Sequence, residues 1–461
     1  MYLKKLDNSN INSSLIAIFL GWGMDEKPFA DLHKDGYDIA LLWGSADANT
    51  SEMYRNLISG YKQVVVIAWS YGVAIANYLI SDKESLKIAV NGTYTPANNS
   101  TGIPKHIFSA TLRSVSEQNM RKFFSTVAGN SPLRKHFMSN LPCRDIDGLK
   151  SDLQKFGEME NAKPNAMWDK VYIADNDAII PPANQENAWK GFYTVHTQSA
   201  HLPDLQKIID TDILDKNIIA KRFAESSAGY ETEAEVQKRI AETLYAFWQK
   251  HQKAENGNIL EIGIGTGFLT RLYASSADAE KCTLVDLAPL ESICKIAEKY
   301  GIGSAKLVSS DAEQFLAEAQ DHSFDTILSS STIQWFASPR RFFANVARTL
   351  KNGGFAAIST FEPGTFAEIS SITGKSLNYY TTEQFEAMLP DCLELAFVQS
   401  DTDTIKFNNG RQLLKHIQNT GVNALGGSPM SYTETVALIK KLDQNPCLTY
   451  KNVYLIIKKK L

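Results

Sequence analysis

Short apolar runs alternate with helix-length segments along the first part of this chain, break off, and begin again. "SLIAIFL" (14–20), "YDIALLW" (37–43), "QVVVIAW" (63–69) and "LKIAVNG" (86–92) are followed, after a gap, by "VYIAD" (171–175) and "YTVHT" (193–197). Near-continuous apolar runs suit strands buried on both faces, and helix-length crossovers join such strands in parallel. The expected fold class is therefore α/β. Between about residues 100 and 165 lies a charge-rich, helical stretch with no strong strand. The alternation restarts beyond "HLPDLQKIIDTDILDKN", with "NILEIGI", "KCTLVDL", "AKLVSSD", "FDTILSS" and "GGFAAIST". A chain of 461 residues is too long for one ordinary core. Two α/β domains are expected, 1–213 with its helical insertion at about 100–165, and 214–461. The join holds no long Gly/Ser or Pro tract, which leaves little free linker.

Composition narrows the class. With 44% apolar and 21% charged residues the chain is neither fibrous nor disordered. A net charge of −4 argues against a general nucleic-acid binder. Cys143, Cys282, Cys294, Cys392 and Cys447 are scattered without a C-x-x-C pair, which suits a reducing compartment and offers no zinc site. "MYLKKLDNSN" turns polar where a signal peptide needs an apolar run, and no segment approaches the length of a membrane span. A cytoplasmic protein is expected, with no metal and with neither nucleic acid nor membrane as partner.

The third apolar run ends in Ala68-Trp69-Ser70-Tyr71-Gly72. The strained strand-to-helix turn that presents a nucleophilic serine normally reads G-x-S-x-G, small on both sides because strand and helix close on each other there. Ala68 is a mild departure. Asp177 follows a later strand in "ADNDAIIPP" and His201 the next in "QSAHLPDL", which is the chain order Ser, Asp, His of α/β-hydrolases. In that arrangement His201 takes the Ser70 proton, while Asp177 sets the tautomer and stabilises the imidazolium. Asp175 competes for the acid's place. Asp177 is preferred because acid, spacer and "IIP" match the D-x-x-V-P ending usual in this fold. In "FLGWGMD" (19–25) the Trp22 N–H, with that of Tyr71, is a candidate oxyanion hole. Each feature has a plain reading too: a serine after a strand, a loop histidine, a tryptophan capping the core.

"GWGMD", "AWSYG" and "DNDAIIPPANQENAW" resemble the BioG-type pimeloyl-[acyl-carrier protein] methyl ester esterases over about residues 1–210, the last stretch being the most specific. The resemblance implies an α/β-hydrolase fold with serine esterase activity and makes the helical insertion a lid. Arg113, Arg121, Lys122 and Arg134 lie on that lid among fewer acids. Such charges ordinarily form a solvated face. The sharper reading is a docking patch for an acidic acyl carrier protein.

The second motif is Glu261-Ile262-Gly263-Ile264-Gly265-Thr266-Gly267, closing a strand and opening a helix. Glycines there let the backbone approach a nucleotide-like ligand. A dinucleotide fingerprint wants a small residue where Phe268 stands. The E-x-G-x-G-x-G form is similar to motif I of the Rossmann-like class I S-adenosylmethionine methyltransferases, and a carboxylate at 261 suits a cationic, amine-bearing ligand. The likeness implies that Glu261, Gly263, Gly265 and Gly267 face the cofactor. Asp286 would take the ribose hydroxyls, and Asp311 with the Ala312 N–H the adenine. Each acid alone also reads as a helix N-cap. "KRFAESSAGYETEAEVQKRIAETL" (221–244), "FDTILSSSTIQWF" (324–336), "FEPGTFAEI" (361–369) and "LLKHIQNTGVNAL" (413–425) resemble the BioC-type malonyl-[acyl-carrier protein] O-methyltransferases, with Ser330 where many members have Asn. Tyr230 is a candidate for orienting the acceptor carboxylate, or a packing aromatic. Arg411 and His416 are candidates for the carboxylate or the phosphopantetheine arm.

Together the resemblances imply a bifunctional enzyme of biotin-precursor synthesis that uses S-adenosyl-L-methionine. The alternative is a general carboxylesterase or thioesterase fused to a methyltransferase for another small molecule.

Overall fold

Val64, Val65, Val66 and Ile67 run along the middle of a seven-stranded sheet, and none is more than 1% exposed. Burying each side chain is worth about 1.5–3 kcal/mol, so this stretch anchors the elements around it. The computed structural model describes residues 1–461 except 7–11, 82, 160–162, 164, 166–167, 252–256, 275–280, 290–292, 294–298, 300–304, 375 and 421–430, and except the side chains of 226–232. It divides into two units, Met1–Ile209 and Asp210–Leu461, each mixed α/β with one seven-stranded sheet.

In the first unit the strands are β1 (Tyr2–Lys5), β2 (Ser14–Phe19), β3 (Tyr37–Trp43), β4 (Gln63–Trp69), β5 (Leu86–Val90), β6 (Lys170–Ala174) and β7 (Thr194–Thr197). Their order is β1-β3-β2-β4-β5-β6-β7, parallel throughout except that β1 pairs antiparallel with β3. The sequence reading names no strand at β1, which is short and exposed along its length. Its anchor is Tyr2, stacked on Trp43 at 5.8 Å, with the Arg144 guanidinium 4.8 Å from the Tyr2 ring centroid.

Between β5 and β6 the described residues form four helices, Lys105–Ser114, Glu117–Ala128, Arg134–Ser139 and Ile146–Glu158. Two carboxylates fasten them to the sheet side. Asp152 accepts from the Ser45 N–H and hydroxyl at 3.0 and 2.8 Å and pairs with Arg144 at 2.8 Å. Asp25, the last residue of "GWGMD", accepts from the Cys143 N–H at 2.6 Å. Both acids are buried with their oxygens satisfied, the condition for tolerating such charges.

The second unit holds β8 (Asn258–Ile262), β9 (Lys281–Asp286), β10 (Ala305–Ser309), β11 (Phe324–Ser330), β12 (Leu350–Phe361), β13 (Leu393–Lys406) and β14 (Cys447–Lys459), in the order β10-β9-β8-β11-β12-β14-β13. β8 to β12 are parallel; β14 runs antiparallel to β12 and β13 antiparallel to β14. Helix Glu235–His251 buries Val236, Ile240, Ala241, Leu244 and Trp248 at helical spacing against the sheet. No helix among the described residues is long and apolar enough to cross a membrane.

Candidate active sites

Ser70 stands between β4 and the helix Tyr71–Leu79 with φ 58° and ψ −125°, a backbone conformation that non-glycine residues rarely adopt. Such strain costs of order 1–3 kcal/mol and persists only where the surroundings impose it. Here they do: Gly72 is so close to β2 that a Cβ on it would stand 2.3 Å from the Phe19 carbonyl oxygen. The Ser70 hydroxyl lies 2.9 Å from His201 Nε2, and His201 Nδ1 lies 2.8 Å from Asp177 Oδ2. All three residues are buried. Asp177 Oδ1 accepts from the N–H groups of Ile179 and Ile180 at 2.8 and 2.9 Å. Asp175 is turned away, bonded to His196 at 2.8 Å and to Gln198 on a more exposed face.

The segment after β2 lies against the serine: a Cβ on Gly21 would be 3.0 Å from Ser70 Cβ. Among the described residues the backbone N–H groups of Trp22 and Tyr71 have no acceptor. The Trp22 indole donates to the Leu149 carbonyl at 2.9 Å and meets Phe123 edge-on, so its side chain is a packing element. Tyr71 stacks on Phe156 at 4.6 Å and meets Phe108 edge-on, and burial drives its phenol far above the usual tyrosine range. Aromatic side chains of the helical insertion therefore pack on both residues whose N–H groups flank the serine.

Arg113, Arg121 and Lys122 are exposed. Arg134 does not share that exposure. It is half-buried and donates to the carbonyls of Ser125 and Gly129 and to the Ser125 hydroxyl at 2.8–2.9 Å, so its fork is used in holding the insertion together.

In the second unit a cleft of about 1120 Å³, open to solvent, runs along the ends of β8, β9 and β10. Glu261, Gly263, Gly265, Asp286, Asp311 and Ala312 line it; Gly267 turns the chain into the helix Phe268–Ala274 at φ 82°. Glu261 sits lower than a pure ligand contact would. Its Oε2 accepts from the Thr270 and Tyr273 hydroxyls at 2.7 Å each, while Oε1 has no partner among the described residues. Burial pushes its carboxyl up to about 7; the two hydroxyls oppose the shift and Asp286 adds to it. Gly263 has a packing reason of its own, since a Cβ there would stand 2.0 Å from Thr332 Oγ1. Asp286 accepts from the N–H groups of Gly265 and Ala288 at 3.0 and 2.9 Å. Asp311 caps the helix Ala312–Glu318 through the Glu313 N–H at 2.9 Å and still faces the cleft. The capping and ligand readings thus coexist at one side chain. The cleft also contains Lys216, 3.0 Å from Glu313 and 3.6 Å from Asp311. Burial works against its charge, but the two carboxylates hold its pKa above the usual lysine value.

Behind the cleft a smaller pocket of about 370 Å³ is walled by Phe361, Phe366, Leu377, Tyr379, Thr420 and Tyr450 among others. His416 is buried behind it, with Nε2 3.3 Å from the Tyr450 hydroxyl and Nδ1 3.2 Å from Glu233. Arg411 is on the surface. The Tyr230 side chain lies outside the described residues.

A protein of Bacteroides thetaiotaomicron named malonyl-[acyl-carrier protein] O-methyltransferase is 31% identical to this chain over 266 residues, 54% of the chain and 99% of the relative. The chain belongs to that family. A second malonyl-[acyl-carrier protein] O-methyltransferase, from Bacteroides fragilis, is 29% identical over 472 residues and spans 98% of this chain and 94% of itself. Residues 260–358 match a methyltransferase-domain family and residues 4–203 match the pimeloyl-ACP methyl esterase BioG family. The crystal structure of BioG from Haemophilus influenzae is 25% identical, covering 44% of this chain and 94% of that one with a TM-score of 0.37.

Several residues of this malonyl-[acyl-carrier protein] O-methyltransferase family member escape the sequence reading. Gln185, fully buried on helix Pro182–Ala188, donates to Asp177 Oδ2 at 2.9 Å and to the Ile180 carbonyl at 3.0 Å. Two acceptors on one side require the amide nitrogen there, which settles its orientation. Asn91 and the Trp69 indole hold the His201 carbonyl at 3.0 and 2.9 Å. The "PPANQ" stretch carries the signal for Gln185: Pro182 starts a helix at a fixed offset from Asp177, and Gln185 is on its first turn.

Proposed function

We propose that this chain puts on and takes off the same methyl group at two stages of biotin-precursor synthesis in the cytoplasm. On this reading domain 214–461 methylates the free carboxylate of malonyl-[acyl-carrier protein]. Domain 1–213 is an α/β-hydrolase with its lid at about 100–165, and it hydrolyses pimeloyl-[acyl-carrier protein] methyl ester to pimeloyl-[acyl-carrier protein] and methanol. The observation that carries it is the hydrogen-bonded Ser70, His201 and Asp177 relay within a member of the malonyl-[acyl-carrier protein] O-methyltransferase family.

In the ester-cleaving site His201 Nε2 takes the Ser70 proton as Oγ attacks the ester carbonyl, and returns it to the departing methanol. The N–H groups of Trp22 and Tyr71, unpartnered among the described residues, receive the oxyanion. Water then repeats the sequence on the acyl-serine. Asp177, with Gln185 and two backbone N–H groups on its oxygens, keeps the imidazole in the accepting tautomer.

The second cleft fits an adenosyl cation with an amino-acid tail. Glu261 Oε1 is unpartnered among the described residues and would face a cationic amine, Gly265 has nothing within 4 Å of where a Cβ would be, and Asp286 and Asp311 stand at successive strand ends. Glu261 with the glycine loop would hold the amino-acid end, Asp286 the ribose, and Asp311 with the Ala312 N–H the adenine. Bound there, S-adenosylmethionine supplies an electrophilic methyl group. A carboxylate acceptor is already a nucleophile at neutral pH, so the protein's part is mostly positioning.

The two activities complement each other because a free carboxylate at the tip of a growing acyl chain would have to enter apolar tunnels, where an unpaired charge is costly. The test uses Ser70→Ala protein with malonyl-[acyl-carrier protein] and S-adenosylmethionine, following the intact mass of the carrier. A gain of one methyl, removed by wild-type protein only after the chain has been elongated to pimeloyl length, is expected. No gain despite bound cofactor would sink the acceptor assignment.

A further inference from the structure

Phe223, Gln237, Ser331 and Trp335 line both the large cleft and the smaller pocket behind it, so they form the neck between the two. Two polar atoms at this neck, Gln237 Oε1 and Ser331 Oγ, are shielded from solvent and have no hydrogen-bond partner among the described residues. Their neighbours are satisfied: Gln334 donates to the Ser331 carbonyl at 2.6 Å and accepts from Thr360 at 3.1 Å, and Thr332 donates to the Ser330 carbonyl at 3.0 Å. A buried polar atom left unpaired destabilises the fold, so such atoms ask for an explanation by a ligand or a water. Ser331 adds a second observation. Its φ is 51°, left-handed for a residue with a side chain, and its N–H is tied to the Ser359 carbonyl at 2.9 Å. Strain of this kind collects where a side chain is being aimed. Tyr379, on the pocket wall, is buried and its hydroxyl has no partner among the described residues.

The chemistry of the pocket restricts the ligand. No charged side chain is among its lining residues, so a charged group there would have to be held by neutral hydrogen-bond partners rather than by a counter-charge. A wholly apolar group would leave the two orphaned atoms as they are. A hydroxyl, a phenol and an amide, which presents N–H when turned about its bond, are three neutral donors. They match the oxygens of one carboxylate without pinning it in an ion pair that would blunt its nucleophilicity. We propose that Gln237 and Ser331 at the neck, with Tyr379 on the pocket wall, receive the acceptor's free carboxylate, the rest of a short acyl thioester lying in the pocket behind. This rests on the methyltransferase reading above and adds to it the residues that choose an acid as acceptor.

The test uses Ser70→Ala protein throughout, with malonyl N-acetylcysteamine thioester as the acceptor and acetyl N-acetylcysteamine thioester, which lacks the carboxylate, as its control. Gln237→Leu and Ser331→Gly remove the polar groups, and glycine also relieves the backbone at 331, so misfolding does not confuse the result. Calorimetry in the presence of S-adenosylhomocysteine is expected to show the malonyl compound binding at least about tenfold tighter than the acetyl one, and each variant to lose most of that difference. The KM for the malonyl compound should rise in parallel, with the Kd for S-adenosylmethionine moving less than about twofold. Weakened S-adenosylmethionine binding with unchanged acceptor preference would overturn the proposal and give these atoms to the cofactor's amino-acid end. Unchanged values for both would overturn it in favour of a trapped water. If the protein binds the malonyl compound selectively but transfers no methyl to it, the methyltransferase reading fails and the carboxylate site stands.

Discussion

The buried carboxyl of Glu261 makes cofactor binding a function of pH, and its surroundings set the size of the effect. Burial pushes its pKa up to about 7 from the ordinary 4.5 of a glutamate. Without cofactor the carboxyl therefore holds a proton through the mildly acidic range, whereas an adjacent cationic amine favours the ionised form. Binding must release that proton, so affinity for S-adenosylmethionine rises with pH until the free carboxyl is itself ionised. For a pKa of about 7, the gain between about pH 5.5 and 7 is roughly 15-fold. The linkage to stability has the opposite sign. A raised carboxyl pKa means that the folded, cofactor-free protein binds more protons than the unfolded chain between about pH 4.5 and 7, so stability falls as pH rises through that window, by about 3 kcal/mol in all. Titration calorimetry at several pH values, repeated in buffers of different ionisation enthalpy, reads both the affinity and the proton released. Glu261→Gln should bind weakly with a flat profile and no proton release. A flat wild-type profile, or a slope that survives Glu261→Gln, would refute the assignment of Glu261 to the amine.

Gly72→Ala should abolish ester cleavage and lower the melting temperature, at a cost of more than about 4 kcal/mol, because the new methyl collides with backbone oxygens of Phe19 and Leu20 at 2.3 and 2.9 Å; methyl transfer should survive, and assaying both activities on one preparation checks this. Gln185→Leu removes a charge-assisted hydrogen bond worth about 1.5–3 kcal/mol from Asp177, so the esterase kcat should fall roughly 10- to 100-fold with KM little changed; an unchanged kcat would show that the two backbone donors suffice. Arg121→Glu with Lys122→Glu should lower kcat/KM on a carrier-bound ester about tenfold at low salt, the difference closing at high salt, and leave a carrier-free methyl ester untouched. Arg134→Ala, by contrast, should destabilise the helical insertion without any salt-dependent signature, since its donors are spent internally.

The parts of the fold visible in the sequence are those written in apolar periodicity. β4 is a continuous apolar run because both faces are covered, and its chemistry is found in the residues directly after it; β8 is apolar but for Asn258 and Glu261, and its acid lies within the strand, just ahead of the glycine loop. β13 stays hidden because "LELAFVQSDTDTIK" alternates polar residues on an exposed face, and its Asp and Thr content reads as loop; only pairing along β14 makes it a strand. Gln185 stays hidden for a related reason. The sequence shows that Pro182 begins a helix shortly after Asp177, but not that the Gln185 amide turns onto Asp177 Oδ2, which depends on how that helix packs. At Glu261 the residue type is legible and its depth is not, because burial beneath the glycine loop depends on Thr270 and Tyr273 in the helix that the loop opens.

A chain that both makes and cleaves methyl esters avoids a futile cycle only if the esterase ignores the short ester its partner makes. The structure bears on how far hydrophobic contact can do this. Ser70 is 3% exposed, and beside it Tyr71 packs on Phe108 and Phe156 while Trp22 packs on Phe123. A pimeloyl chain has four methylenes more than a malonyl chain. At about 0.8 kcal/mol for each methylene buried against such a wall, the longer ester gains roughly 3 kcal/mol, or roughly 200-fold in kcat/KM. That factor is the ceiling for apolar burial alone, and it is reached only if every added methylene is desolvated. The buried position of the serine supplies a further term. The ester end of a carrier-held pimeloyl chain also reaches four methylenes further from the carrier than that of a malonyl chain, so a buried serine favours the longer ester by reach as well. Chain length is thus read twice, once as apolar area and once as reach, and the two multiply.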